Sequence, residues 1–212
     1  MYPAYSRAER IADGAMHAVG VIGAMGGAVV LMVWAMGMTS AGHVAALSVY
    51  GATLIATFVA SAFYHMTPWE DIRPVLRRFD HAAIYLKIAG TYTPLVVTIG
   101  SGFAYLVLAV VWGLAVIGML LKLFFWRTPG RFGPALYLIM GWLSVALIWS
   151  LWAIVPGAAV ALIAVGGLLY TTGVIFHVAE KMKFSNAIWH GFVVAASACF
   201  FAAITLATGP LA

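Results

Sequence analysis

Histidine is the residue around which chemistry is most readily built in this sequence, because neutral imidazole binds transition metals and exchanges protons near neutral pH. There are six: His17, His43, His65, His81, His177 and His190. Ser61 stands one helical turn before His65 and Asn186 one turn before His190, so on a helix each pair shares a face. Asp80 and Lys87 are i, i+7 and nearly superposed down a helix, with the lysine leaning back toward the aspartate. That spacing fits a charge-compensated buried pair, or a polar path gated by it. A lone histidine is more often an interfacial residue than a ligand, so the argument depends on whether the fold gathers several. The single Cys199 lies in an apolar run and excludes an internal disulfide scaffold.

The elements that must position these residues are helices crossing a bilayer. Of 212 residues, 65% are hydrophobic and only 8% charged, and mean hydropathy is +1.05, far from the roughly one-quarter charged content of a soluble domain. On a ruler of about 20 apolar residues per crossing, seven spans are expected, at 11–36, 44–65, 81–98, 103–124, 133–154, 158–177 and 186–208. The runs are too long and too uniformly apolar for barrel strands, and helices satisfy every backbone polar group internally. The expected fold class is therefore an all-α integral membrane seven-helix bundle forming one domain. The first apolar run is too long for a signal h-region and reads as a span. Thr128-Pro129-Gly130 and Val155-Pro156-Gly157 mark turns. Gly20, Gly23, Gly26, Gly27, Gly166, Gly167 and Gly173 read as close-packing positions.

The formal charge of +5 comes with no basic stripe interleaved with aromatics, so membrane lipids rather than nucleic acid are the expected partners. Lys and Arg fall on alternate connections: Arg7 and Arg10; Arg73, Arg77 and Arg78; Lys122, Arg127 and Arg131; Lys181 and Lys183. Apart from Lys122, at the end of the fourth, only Lys87 lies within a span. By the positive-inside rule the N-terminus is cytoplasmic and the C-terminus outside, in an inner or plasma membrane. This topology places five of the six histidines at one depth, the cytoplasmic ends of different helices, with His43 alone outside. Such clustering is the pattern of a metal site built between helices.

Four segments carry a family resemblance: RIADGAMH at 10–17, SAFYH at 61–65, RRFDHAAIYLKIAGTYTP at 77–94 and NAIWHGFVV at 186–194. They resemble the bacterial hemolysin III family, relatives of the adiponectin and progestin receptors, over nearly the whole chain. The resemblance implies a zinc ion near the cytoplasmic face. Residue by residue, His65 and His190 match ligands, Ser61 the family's serine and Asp80 its aspartate. Asn186 stands where the family has a histidine, and Phe200 where bacterial members often have another. An open zinc site uses three protein ligands, so the third is expected from the Asn186 carbonyl oxygen or, from its depth, from His177.

Two functions follow as expectations. One is a zinc-dependent hydrolase of a lipid amide or ester, as the resemblance to a wider group with ceramide-cleaving members implies, with Asp80 deprotonating or orienting water and Ser61 donating to the oxyanion. The other is a non-catalytic sensor, regulator of membrane properties or pore-former. A transporter is a weaker third, because it requires broken midplane helices and Pro94 is the only candidate.

Overall fold

A computed structural model describes residues 5–38, 40–125, 132–179 and 181–209. The expected turn at Thr128-Pro129-Gly130, with Arg127 and Arg131, lies outside these. The elements are α1 (Arg7–Met38), α2 (Ala41–Met66), α3 (Arg73–Ile99), α4 (Gly102–Phe124), α5 (Phe132–Trp142), α6 (Val145–Trp152), α7 (Gly157–Val178) and α8 (Ser185–Thr208), with no strand among the described residues. Seven segments are long and apolar enough to cross a bilayer, α5 and α6 together making one of them over Pro134–Trp152. The protein is a seven-span helical integral membrane protein.

Two helices begin earlier than hydropathy alone implies. α1 starts at Arg7 behind a capping box, in which the Ser6 amide donates to Glu9 Oε2 at 2.9 Å and the Glu9 amide donates to Ser6 Oγ at 3.3 Å. α3 starts at Arg73, two turns before the apolar run, because Pro74 suits a first turn and charge does not stop a helix. Ser40 and Ser101 cap α2 and α4 through their hydroxyls. α3 ends at Gly100, whose φ of 66° is the left-handed cap geometry open to glycine.

α3 is the most buried of the spans and packs against α2, α4 and α8, while α8 lies between α7 and α1. Thr57 Oγ1 ties α2 to α3 by donating to the Ala83 carbonyl at 2.9 Å. Of the glycines read as packing positions, Gly20 meets the Phe58 ring, Gly27 Phe201, Gly166 Phe200 and Gly173 Phe192 with Trp189. Gly23, Gly26 and Gly167 have open space where a Cβ would stand. Period alone could not tell those outward positions from the packed ones. Closer approaches occur at Gly90, whose missing Cβ leaves room for Thr53, and at Gly118, which admits the Tyr85 ring.

Pro94, the one candidate for the broken helix a transporter requires, does not break α3, which runs through it to Ile99. Span five breaks instead, between α5 and α6, where the Ser144, Ala146 and Leu147 amides bond carbonyls three residues back. The Tyr92 hydroxyl reaches the Met140 and Gly141 carbonyls, at 2.7 and 2.9 Å. A side chain of α3 thus satisfies backbone groups that the break frees within an apolar slab.

Candidate metal centre

Asp13 and His17 lie four residues apart, on one face of α1, and both are buried. Ser61 and His65 repeat that spacing at the end of α2, Asp80 and His81 follow Arg77 by about one turn on α3, and His190 stands in the second turn of α8. The bundle brings these side chains together at the end where α1, α3 and α8 begin and α2 and α7 finish. They line a cavity of about 830 Å³.

Three imidazoles meet at its floor. His17, His65 and His190 each contribute a ring nitrogen within 4.8 Å of the other two, the one such group of three or more metal-ligating side chains among the described residues. Ring centroids are 4.2 Å apart for His17 and His190, 4.6 Å for His65 and His190, and 5.1 Å for His17 and His65. Asp13 is the hub that orients them. Its Oδ1 lies 2.6 Å from His190 Nδ1 and 3.6 Å from His17 Nδ1, and its Oδ2 lies 3.6 Å from His65 Nδ1. Its main-chain carbonyl accepts from His17 Nδ1 at 2.8 Å. A ring that donates from Nδ1 carries its lone pair on Nε2, so the Asp13 carboxylate selects at His190, and the Asp13 main-chain carbonyl at His17, the tautomer that a metal needs.

Asp80 stands beside this group, with Oδ2 at 3.9 Å from His65 Nε2 and 3.5 Å from His81 Nδ1. Ser61 Oγ is 3.3 Å from His17 Nε2, and because that ring donates from Nδ1 the hydroxyl is the donor. Ser61, His65, Asp80 and His190, singled out from the sequence, are therefore gathered at one site. The other two expected ligands are placed differently. Asn186 lines the cavity, but its Nδ2 donates to the Tyr5 hydroxyl at 3.0 Å. His177 also lines the cavity, yet its ring packs 4.9 Å from Trp189 and 6.4 Å from His81, outside the group of three. The third imidazole is His17.

His17 and Asp13 were the residues sequence reasoning passed over as site members. Depth had placed His17 correctly, and an aspartate one turn before a histidine inside an apolar span was the signal. The expected Asp80–Lys87 pair does not form. Lys87 Nζ donates to Ser197 Oγ at 2.6 Å and lies over the rings of Phe58 and Tyr170, 4.7 and 5.2 Å from their centroids. Superposition on an isolated helix ignored α8 and the aromatic faces, which offer the ammonium closer partners.

Comparison with known proteins gives the ancestry of this arrangement. A family profile described as "Haemolysin-III related" matches residues 6–201. The chain belongs to the haemolysin-III family. It is 34% identical to "Hemolysin-3 homolog" of Bacillus subtilis (strain 168) over 194 residues, covering 91% of each chain. It is 36% identical to "Hemolysin-3" of Bacillus cereus over 194 residues, 91% of this chain and 89% of the relative. The human "Monocyte to macrophage differentiation factor" is 31% identical over 163 residues, 74% of this chain and 67% of its own. In this haemolysin-III chain three imidazoles on separate helices, with a carboxylate behind them, form a group that could hold a metal ion.

Proposed function

We propose that His17, His65 and His190 hold a zinc ion and that Asp80 and Ser61 serve the hydrolysis of a lipid amide or ester beside it. The observation that carries this reading is the convergence of three imidazole nitrogens within 4.8 Å around a buried carboxylate. Zinc, when bound, supplies Lewis acidity toward a carbonyl oxygen and lowers the pKa of water to about 7. Asp80, between His65 and His81, is placed to take a proton from attacking water and return it to the leaving group. Ser61 donates to His17 Nε2; were that nitrogen to hold the ion, the hydroxyl would be able to donate a hydrogen bond to a developing oxyanion instead. With the arginine-bearing end in the cytoplasm, the cavity would lie at the level of the inner leaflet.

Zinc content of purified protein tests the site. About one zinc per chain is expected from the single three-imidazole group, lost in His17→Ala and His190→Ala and kept in His177→Ala. Zinc unchanged in His17→Ala ends this assignment. Hydrolysis is tested separately, by turnover of lipid amides and esters in wild type and Asp80→Asn.

A non-catalytic reading, as sensor, regulator or pore-former, is favoured by one observation. Asp13 already satisfies His17 and His190, so the cluster is also self-sufficient as a polar clasp. Zinc-loaded protein that turns over no lipid substrate, with Asp80→Asn unchanged in stability, selects that reading.

A further inference from the structure

Glu9 is half-buried in the first turn of α1, and the site described above makes no use of it. Its two oxygens serve different helices. Oε2 belongs to the capping box of α1, accepting from the Ser6 amide at 2.9 Å and the Ser6 hydroxyl at 2.7 Å. Oε1 crosses to α8 and accepts from the Phe184 amide at 3.0 Å.

Phe184 opens α8, its carbonyl accepting from the Ile188 amide at 2.9 Å, and it has no side-chain oxygen with which to cap the helix. Its φ of 60° is the only non-glycine value in the left-handed region among the described residues. A bulky residue keeps that conformation only where its surroundings hold it. Glu9 supplies such a hold, and it sets a carboxylate at the α8 N-terminus, where the helix dipole favours negative charge.

The contact also belongs to a register. Glu9 with Phe184, Met16 with Gly191 and Trp34 with Gly209 meet at the same offset of 175 positions, so α1 and α8 run parallel and in step along their length. The Met16 and Trp34 contacts are side chains against glycine and lack the directionality of a hydrogen bond. A slip of one residue along a helix moves His190 by about 1.5 Å, several times the roughly 0.5 Å within which a binding constellation must be held. Asp13 Oδ1 and His190 Nδ1, at 2.6 Å, lie on these two helices within two turns of the Glu9 bridge.

We infer that Glu9 is a positioning residue for the candidate metal centre: by joining the first turn of α1 to the first residue of α8 it fixes the register that brings His190 to Asp13 and His17. The inference rests on the metal-site reading above for its effect on zinc, whereas the register is a property of the metal-free chain. Asn186 Nδ2, donating to the Tyr5 hydroxyl, adds a neutral tie at the same end.

Two measurements on purified protein test this. The first is zinc affinity by chelator competition. Glu9→Asp keeps the charge and the cap on α1 but is a methylene too short to reach Phe184 as well, so affinity falls about tenfold, the lower end for loss of a group that orients a ligand. Glu9→Gln keeps an oxygen for the Phe184 amide and stays within about threefold of the parent. Ser6→Ala weakens the α1 cap alone and leaves affinity unchanged, whereas a merely stabilising Glu9 would make Ser6→Ala and Glu9→Asp alike.

The second measurement needs no metal. A Met16→Cys/Gly191→Cys pair in a Cys199→Ala background is oxidised with glutathione, and disulfide formation, which demands close geometry, becomes about fivefold slower when Glu9→Asp is added. An unchanged rate overturns the inference, as does a parent pair that forms no disulfide. Zinc held equally by Glu9→Asp and the parent overturns it too, while the metal assignment stands. Absence of zinc from every variant, with the disulfide still dependent on Glu9, ends the metal assignment and supports the register.

Discussion

Asp13 touches three imidazoles and would itself bind no metal in the proposed site, so its substitution isolates what orientation contributes. Asp13→Asn keeps the size, and the main-chain carbonyl that accepts from His17 Nδ1, but removes the charge that favours an N–H at His190 Nδ1. Zinc affinity is expected to fall by about 10- to 100-fold, measured by competition with a chromogenic chelator, with the melting profile of the metal-free protein little changed. A second prediction at this scale concerns Asn186. Its amide is turned to Tyr5, so Asn186→Ala should leave zinc affinity within about threefold, below the usual effect of losing an outer-shell partner. His65, Ser61, Asp80 and His190 were singled out through the family resemblance, with depth in agreement, and the fold gathers them. His17 shared that depth and still was not assigned, because a ligand set is a statement about which side chains face one another. Lys87 shows the same limit, since Ser197, its partner, is 110 positions away.

Helices carry a different kind of information, and their faces are decided by neighbours. Gly90 and Gly23 look alike in sequence, yet a methyl at Gly90 would collide with Thr53 and one at Gly23 would meet open space. Gly90→Ala is expected to cost about 1–3 kcal/mol, the usual penalty for overpacking, while Gly23→Ala stays within about 0.5 kcal/mol. Thermal melting of both variants in one detergent decides this. Tyr92 bridges the break in span five, so Tyr92→Phe takes the hydroxyl donor from the Met140 carbonyl and from the Gly141 carbonyl, which keeps the Ser144 amide, and should cost about 1–3 kcal/mol. That break was not legible. The segment around it is as apolar as its neighbours, and proline, the usual marker, sits in α3, where the helix continues.

Across the whole molecule, the number of spans was the easiest property to read, because hydrocarbon thickness sets the length of every crossing. Which side faces the cytoplasm is a separate matter, and the asymmetry of Lys and Arg makes it testable. A reporter fluorescent only in the cytoplasm should be bright when inserted after Glu70 and dark when fused beyond the last span. The reverse pattern would move the arginine-lined cavity to the outer leaflet. Packing around α3 was not legible, since hydropathy ranks spans by apolarity whereas the central helix here is the most polar of them.

The three rings that converge on Asp13 come from the first, second and final helices, so His190 enters the membrane only after nearly all of the chain has been synthesised. During translation two imidazoles and a carboxylate wait in the lipid without the third. In the proposed site an ion would have all three rings only once α8 docks. A chain released before α8 would carry two of the three proposed ligands.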